Sequence, residues 1–288
     1  MHPDLLLVTC TAFPDGEPGH DALDRALAER GIAARWVRWD DPDVDWDHTL
    51  VAVRSTWDYD GRLDEFLAWA SAVPRILNGA DVFAWNTDKG YLVELAAAGL
   101  AVVPTTLVDG EDELPAAIAG VWADGAQAVV KPRVGAGGRG VTVFDGTDGG
   151  PAGLDEATLG PGPWVVQPLV ESVRTEGESS VFVLAGEPVS MVRKVPAGEE
   201  IRVHEQYGGT SVAMVPTDEA ARLARRTVAV AERLLGTELH YARVDMMRLA
   251  DGTLAVGELE VTEPGLYLEE LPENGLAFAG LVAGLLGS

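Results

Sequence analysis

The most informative segment of the chain is Tyr241-Ala-Arg-Val-Asp-Met-Met-Arg-Leu-Ala-Asp-Gly-Thr-Leu-Ala-Val-Gly-Glu-Leu-Glu260. Asp251-Gly252 between two β runs predicts a hairpin with a two-residue turn. Counting back from that turn places Asp245 directly opposite Glu258. Directly opposed side chains have Cβ atoms about 4.5–5.5 Å apart, and like charges at that separation destabilise the pair. The hairpin therefore predicts two carboxylates held together against their repulsion.

A third carboxylate joins this pair on the same face of the hairpin. Glu260 falls opposite Arg243, and it shares a face with Glu258 because side chains alternate along a strand. Hard oxygen ligands on adjacent strands suit Mg²⁺, which binds a few carboxylates together with substrate phosphates. Asp245, Glu258 and Glu260 are therefore the predicted metal ligands. The alternative is a solvated face whose acids are balanced by arginines.

The charge of the chain excludes several classes of partner. Its 288 residues include 46 Asp and Glu against 21 Lys and Arg, a formal charge of −25. A field of that sign repels nucleic acid and anionic membranes. The expected partner is a small molecule, and monomer and homodimer both stay open.

The cysteine content and the N-terminus bear on the cellular compartment. Cys10 is the single cysteine, so neither an internal disulfide nor a cysteine zinc site is expected. No secretory signal is visible at the N-terminus, and the longest apolar runs are too short to span a membrane. We expect a soluble cytoplasmic protein.

Hydrophobic patterning divides the chain into two kinds of sheet. The first ~80 residues alternate strand and helix signals, with strands over Leu5–Thr9, Arg35–Trp39 and Leu50–Val53. This predicts an α/β domain with a parallel sheet, over residues 1–85. A helix is predicted over Asn86–Ala98, and short β runs between Gly-rich and Pro-rich turns follow it. These runs predict α+β architecture with antiparallel, hairpin-rich sheet.

A glycine-rich loop follows a strand that carries a lysine. Val129-Val-Lys-Pro132 leads into Gly135-Ala-Gly-Gly-Arg-Gly140, whose glycines let backbone N–H groups approach phosphate oxygens. A strand follows the loop, whereas a dinucleotide fingerprint would continue as a helix. The Gly-Lys-Ser/Thr of a Walker loop is absent. The pattern favours a flap over phosphate, and the alternative is a surface hairpin without a ligand.

The chain has three lysines, Lys89, Lys131 and Lys194. Each lies in a distinctive context: Trp85-Asn-Thr-Asp-Lys89, Val-Val-Lys131-Pro and Val192-Arg-Lys194-Val. In so acidic a chain, these ammonium groups are candidates for binding one anion together.

In order along the chain, these features resemble the ATP-grasp superfamily. The match includes Lys89, Lys131 before the glycine flap, the segment Val165-Val-Gln-Pro-Leu-Val170, Glu178, Lys194 and the final Asp…Glu-x-Glu set. The superfamily usually ends this set with Glu-x-Asn, whereas here it is Glu258-Leu-Glu260. Further segments resemble a glutathione-synthetase-like subgroup that includes cycloserine-forming cyclo-ligases, which act on O-ureido-D-serine. They are Arg54-Ser-Thr-Trp-Asp-Tyr59, Trp85–Lys89, Ile201-Arg-Val-His-Glu-Gln-Tyr-Gly-Gly209, Tyr241–Asp245 and Glu258-Leu-Glu-Val-Thr-Glu-Pro264.

The resemblance implies an ATP-grasp fold, ATP and Mg²⁺ as cofactors, and a place in the biosynthesis of an amino-acid-derived metabolite or antibiotic. The implied division is a central ATP-grasp lid subdomain over 86–165 and a C-terminal ATP-grasp subdomain over 166–288. Lys194 would reach the γ-phosphate. Arg202, in the segment between Gly198 and Gly208 (the lid segment), would serve the acyl-phosphate step. For Arg202 the alternative is a surface partner of a nearby glutamate. The residues that would hold the nucleotide are Lys89, Lys131, Gly137, Gly138, Gln167, Leu169, Val170, Glu178 and Lys194.

The loop after the third strand is the predicted substrate site. Ligands of open α/β sheets bind beyond strand C-termini, and an arginine, a hydroxyl and two aromatic rings suit a small zwitterion. The predicted substrate residues are Arg54, Ser55, Trp57, Asp58 and Tyr59. Arg243 is added to them, either for a substrate carboxylate or as support for Glu260. The alternative is a helix-entry loop in which Trp57 packs as core.

Together these features predict an ATP-dependent ligase that activates a small amino-acid-type carboxylate as an acyl phosphate for attack by an amine. The attack would be intramolecular in a cyclo-ligase and intermolecular in a peptide-type ligase. A nucleotide-binding module without catalysis, or phosphoryl transfer to a hydroxyl, are the alternatives from other classes.

Overall fold

The N-terminal part of the computed structural model, which describes residues 3–146, 159–160 and 162–287, is built on a three-stranded parallel sheet. Its strands are β1 (Leu5–Thr9), β2 (Ala34–Arg38) and β3 (Leu50–Ser55), in the order β2-β1-β3. Helix α1 (His20–Glu29) connects β1 to β2. Every residue of β1 and β3 is buried, as expected of parallel strands covered on both faces. The predicted parallel sheet is confirmed.

Two helices and a loop replace the single helix predicted over Asn86–Ala98. After α2 (Leu63–Ala72) come α3 (Ala80–Asn86) and α4 (Tyr91–Ala97). Between α3 and α4, the Asp88 carboxylate accepts a hydrogen bond from the Gly90 N–H at 2.8 Å and pairs with Arg133. These bonds fix a loop there, and Lys89 lies on it. The sequence pattern missed the break because its cause is a contact with a distant arginine.

The central part is a four-stranded antiparallel sheet with the order β4-β7-β5-β6. Its elements are β4 (Thr106–Val108), α5 (Leu114–Ala123), β5 (Ala128–Pro132), β6 (Thr142–Phe144) and β7 (Trp164–Pro168). Helix α5 packs its buried residues Leu114 and Ile118 against this sheet. The predicted boundary between residues 165 and 166 falls inside β7, so the central sheet extends to Pro168.

The C-terminal part is a five-stranded antiparallel sheet with the order β10-β9-β8-β11-β12. Its elements are α6 (Ser172–Thr175), β8 (Glu178–Leu184), β9 (Glu187–Val195), β10 (Thr210–Met214), α7 (Asp218–Leu235), β11 (Tyr241–Arg248), β12 (Leu254–Glu260) and α8 (Glu273–Gly287). Thr217 caps α7 as predicted, because its hydroxyl accepts a hydrogen bond from the Ala220 N–H at 3.2 Å. Residues of this part and of the N-terminal part share hydrophobic clusters, among them Leu23, Leu27 and Phe278.

The predicted pairing of the acidic residues in the hairpin is confirmed, although the loop is longer than predicted and one strand carries a bulge. Asp245 lies opposite Glu258, and Arg243 opposite Glu260. The connection is a three-residue loop closed by Leu249 and Thr253, one residue longer than predicted. A bulge at Gly257 adds one residue to β12 and restores the register.

No described helix is both long and apolar enough to cross a membrane.

Candidate active site

A cavity of about 770 Å³ lies where loops of all three parts meet. Its size is within the range of small-molecule sites, roughly 300–1,000 Å³. Fifteen of the nineteen residues predicted to bind ligands line it: Trp57, Asp58, Tyr59, Lys89, Lys131, Gly137, Gly138, Gln167, Leu169, Val170, Glu178, Arg202, Arg243, Glu258 and Glu260. The other four, Arg54, Ser55, Lys194 and Asp245, lie outside its wall as the described residues form it.

One wall of the cavity is apolar, formed by side chains such as Val103, Val129 and Met247. Gln167 lies beside them and donates a hydrogen bond to the Thr105 hydroxyl at 2.9 Å. Such a wall with a few polar groups suits a flat heterocycle. The Leu169 N–H donates to the Gln127 carbonyl at 2.8 Å, so this N–H is already engaged.

Lys89 and Lys131 are the two lysines that line the cavity. The Lys89 ammonium lies 3.2 Å from a Glu258 carboxylate oxygen and donates to the Gly135 carbonyl at 3.0 Å. Lys131 makes no ion pair with any described residue, and burial lowers the pKa of its ammonium. A half-buried ammonium without a counter-ion is stabilised when an anion binds beside it. Lys131 is therefore a candidate phosphate contact.

Lys194 takes a different position from the one predicted. Its side chain is 2% exposed, and its ammonium lies 2.5 Å from Glu178 and 3.1 Å from Asp245. These carboxylates raise the pKa of Lys194 despite its burial. Lys194 therefore lies behind the cavity wall and balances two acids, and its contact with the γ-phosphate stays a prediction.

The acidic hairpin presents two of its three carboxylates to the cavity. Glu258 and Glu260 line the cavity, and Glu260 pairs with the Arg243 guanidinium. Asp245 is 3% exposed and is bonded at 2.9 Å and 2.8 Å by Arg243, in addition to Lys194. The cations hold the pKa of Asp245 well below its usual range, whereas burial raises the pKa of Glu260 to about 8.

The structure brings the predicted metal set to the cavity only in part. Among the described residues, three acid or histidine ligand atoms within 4.8 Å of one another occur at the surface group His20, Asp21 and Asp24, and not in the hairpin. The carboxylates of Glu258 and Glu260 are hard oxygen donors on the cavity wall, which fits Mg²⁺ bound jointly with phosphate oxygens. Asp245 could join them only by exchanging a cation for the metal.

The glycine loop is closed over the cavity by hydrogen bonds to other parts of the chain, including that from Lys89 to the Gly135 carbonyl. Arg139 pairs with Asp60 at 2.7 Å and also donates to the Trp57 carbonyl at 2.9 Å. The Gln206 amide, from the lid segment, donates to the Gly137 carbonyl at 2.7 Å. Gly137 and Gly138 both have positive φ, 60° and 70°, which only glycine adopts readily.

Arg202 of the lid segment lines the cavity, but it is also paired with a neighbour. Its guanidinium bonds Glu200 at 2.6 Å and lies 3.6 Å from the centre of the Tyr207 ring. The glutamate partner of the alternative is thus present, and the role of Arg202 in the acyl-phosphate step stays a prediction. His204 beside it has a pKa lowered to about 4, first by burial and then by Lys194 and Arg243.

Two of the predicted substrate residues are buried beneath the cavity. Arg54 is fully buried, and its guanidinium bonds Glu17 at 3.3 Å and the Pro264 carbonyl. The Ser55 hydroxyl bonds the Thr9 hydroxyl at 2.7 Å. The reason is that β3 continues to Ser55, so the loop facing the cavity begins only after it. Arg54 and Ser55 therefore lie behind the cavity wall, with their polar groups bonded to other residues of the chain.

Three cavity-lining residues with titratable side chains are notable among those not singled out from the sequence. They are Glu17, Glu263 and Tyr267. Glu263 stands inside the motif Glu258–Pro264, although no role followed from that motif. Tyr267 has a left-handed backbone with φ 53° and lies near Arg243 and Lys194. The position of Tyr267 could not be read from the sequence, because a tyrosine is not expected in the left-handed conformation.

Comparison with known proteins shows the family to which the chain belongs. Residues 94–271 match the family of the prokaryotic glutathione synthetase ATP-grasp domain. The chain belongs to this family and is an ATP-grasp ligase, whose members use ATP and Mg²⁺ to join a carboxylate to an amine. The glutathione synthetase of Synechococcus elongatus is 29% identical over 192 residues, which cover 66% of this chain and 54% of that protein. This chain thus spans about half of that relative.

A more similar relative matches nearly the whole chain. The cycloserine biosynthesis protein DcsG of Streptomyces lavendulae is 33% identical over 268 residues, 88% of this chain and 89% of that protein. Residues 5–78 match the N-terminal domain of D-cycloserine synthetase DcsG. The crystal structure of D-cycloserine synthetase DcsG superposes with a TM-score of 0.83 at 29% identity, covering 98% of this chain and 99% of that one.

The fold is shared more widely. The ATP-grasp ligase PsnB superposes with a TM-score of 0.64 at 18% identity, over 99% of this chain and 98% of that chain. At that identity, the likeness is one of fold alone.

Proposed function

We propose that the chain is an ATP-dependent cyclo-ligase that closes O-ureido-D-serine, or a near relative of it, into a cycloserine ring. The observation that carries this proposal is the match of residues 5–78 to the N-terminal domain of D-cycloserine synthetase. Those residues include the loop at Trp57 and Asp58 on the substrate side of the cavity. The glutathione synthetase family model matches only residues 94–271.

The chemistry proceeds in three steps: phosphoryl transfer, ring closure and hydrolysis by a water molecule. A carboxylate oxygen of the substrate attacks the γ-phosphorus of ATP, the bond to the β-phosphate oxygen breaks, and ADP leaves. The oxygen-bound nitrogen of the ureido group then attacks the acyl carbon, inorganic phosphate leaves and a proton is released. The ring forms still carrying its carbamoyl group, and hydrolysis of that group releases carbon dioxide and ammonia.

The cavity residues have distinct tasks in this scheme. Lys89 and Lys131 bind phosphate oxygens, and the glycine loop excludes water from them. Glu258 and Glu260 hold Mg²⁺, which neutralises charge on the phosphate oxygens when it is bound. Arg202 stabilises negative charge on the acyl phosphate once it exchanges Glu200 for the substrate. Arg243 keeps Glu260 in place.

The test is a reaction of the purified chain with ATP, Mg²⁺ and O-ureido-D-serine. We expect ADP and phosphate in equal amounts, with mass spectrometry showing cycloserine and no second amine required. If ADP forms only when another amine is added, and the product is a linear amide, the enzyme is an intermolecular ligase. If no carboxylate stimulates ADP release although ATP binds, the chain is a non-catalytic nucleotide-binding module.

A further inference from the structure

Glu263 is a buried carboxylate on the cavity wall that lacks a cationic partner. It is 7% exposed and lines the cavity, and it makes no ion pair with any described lysine, arginine or histidine. The Tyr59 hydroxyl is a polar neighbour of this carboxylate and lowers its pKa. Burying a charged group is costly unless it is paired, so this carboxylate is poised to receive a cation.

The cations nearest to Glu263 are already bound to other acids. Lys89 is 3.2 Å from Glu258, and Arg243 is shared between Asp245 and Glu260. Burial, together with the charge of Glu258, raises the pKa of Glu263 to about 7 against the opposing effects of Tyr59, Lys89 and Arg243. The protein therefore leaves this carboxylate short of positive charge.

Three carboxylates of the N-terminal part that line the cavity differ from Glu263 in having a partner or greater exposure. Glu17 bonds the Arg54 guanidinium at 3.3 Å and the Leu266 N–H at 2.6 Å. Asp60 pairs with Arg139. Asp58 accepts a hydrogen bond from the Trp39 indole at 3.0 Å and keeps part of its solvent exposure.

The backbone around Glu263 is held rigidly by the N-terminal part of the chain. The Trp57 indole donates to the Glu263 carbonyl at 3.1 Å, and Arg54 donates to the Pro264 carbonyl. Gly265 lies beneath Trp57, where an added Cβ would stand 3.1 Å from the indole ring. A side chain held in this way can select a ligand by position, because little ordering is needed on binding.

We infer that Glu263 binds the ammonium group of the substrate, so that the enzyme selects carboxylates that carry a free primary amine. This inference rests on the proposed function, because the amine belongs to the carboxylate substrate. The ammonium would donate to Glu263, beside the Tyr59 hydroxyl, and would supply the missing positive charge. The group recognised takes no part in bond formation, so Glu263 is a specificity-determining residue.

The test compares two substrates that differ only in the amine: O-ureido-D-serine and 3-(ureidooxy)propanoate, its deaminated analogue. We expect wild-type kcat/KM, measured by ADP release, to favour the amine by about 100-fold, the range of a charged hydrogen bond in a buried site. Glu263→Gln keeps the shape of the side chain. It should lose most of that preference while its kcat/KM for the analogue stays within about threefold of wild type.

Two further variants locate the effect. Glu269→Gln removes the same charge from an exposed residue at the rim of the cavity and should keep the preference. Asp58→Asn should also keep it, and loss of the preference in this variant alone would overturn the assignment to Glu263. Equal losses of kcat on both substrates in Glu263→Gln would also overturn it, because they would indicate a role in the chemical step.

Paired amino and deaminated acids of other side chains separate this inference from the proposed function. If another amino acid is cyclised or ligated and its deaminated counterpart is not, the proposed substrate is wrong and the role of Glu263 stands. If deaminated acids react as well as amino acids, the chain is a ligase but the ammonium site is wrong. If no carboxylate of the panel stimulates ADP release, both fail.

Discussion

Glu258 is the acidic residue whose replacement should affect catalysis most directly. It lines the cavity and contacts Lys89, one of the two lysines there. We predict that Glu258→Gln lowers turnover at least about 100-fold, because one anionic metal ligand is lost where phosphate charge must be neutralised. The measurement is ADP release across a Mg²⁺ titration. Glu219→Gln, which removes an acid from a surface pair with Arg248, is the matched control. Near-normal turnover of Glu258→Gln at saturating Mg²⁺ would contradict the assignment.

Replacing Lys131 and Lys194 by methionine should affect two different properties, ATP affinity for Lys131 and stability for Lys194. Lys131→Met removes a cavity ammonium that pairs with no described carboxylate, so ATP affinity should fall at least about tenfold with little change in stability. Lys194→Met leaves Glu178 and Asp245 without their shared cation, which should cost about 3–5 kcal/mol of unfolding free energy. Calorimetric ATP titration and denaturant unfolding of both variants measure the two effects. Equal ATP affinity in wild type and Lys131→Met would remove Lys131 from the phosphate site.

These two lysines also show where sequence reasoning about single residues ends. Lys131 lies on a strand before a glycine loop, and both features are readable from local sequence. Lys194 lies on β9, and what it meets depends on the pairing of β9 with β8 and of β8 with β11. That pairing brings Glu178 and Asp245 to its ammonium, and no local pattern records it.

The acidic hairpin shows what a pattern specifies for a whole element. Its strands, its turn region and the partnership of Asp245 with Glu258 were all readable, because alternation and an Asp-Gly turn are strong local signals. The loop length and the bulge at Gly257 were not readable. Each shifts the register by one residue, and the two shifts cancel. The correct pairing at the acids therefore depended on a compensation that the sequence pattern does not reveal.

The glycine loop is an element whose closure should depend on one ion pair. Arg139 joins the loop to Asp60, in the segment after β3. We predict that Arg139→Ala raises the KM for ATP severalfold and speeds amide hydrogen exchange of residues 133–141, because the loop loses two contacts with the N-terminal part. Asp60→Asn should give the same phenotype, and the two changes together should add little. Arg174→Ala, which breaks an exposed pair with Glu171, is the control. Unchanged exchange in Arg139→Ala would show that the loop is held by other contacts.

At the scale of the molecule, the three sheets were foreseen, but the way they join was not. Parallel and antiparallel parts follow from strand spacing and turn composition, which are local properties. The bond from Arg54 to the Pro264 carbonyl links residues 210 positions apart. A partner that far away in sequence produces no periodic pattern near Arg54. Arg54 was predicted to bind substrate from its place at a strand end, and in the structure it is buried and joins two parts of the protein.

The contacts of Arg54 between the N-terminal and C-terminal parts should contribute strongly to stability. Arg54 is fully buried, pairs with Glu17, and lies 4.9 Å and 5.3 Å from the ring centres of Phe278 and Tyr241. Arg54→Met should cost about 3–5 kcal/mol, because it leaves the Glu17 carboxylate buried without its cation. For a chain of this size, that corresponds to a fall of roughly 10 °C in Tm.

Adding Glu17→Gln to Arg54→Met should recover part of the lost stability, since the unpaired charge is then gone. Arg225→Met, which breaks the exposed pair with Glu187, should cost less than about 1 kcal/mol. Thermal and denaturant unfolding of the four proteins provide the comparison. If Arg54→Met is as stable as wild type and only its KM for the amino acid is raised, Arg54 is a substrate-binding residue. Loss of a contact that holds two parts of the fold together would instead lower the stability.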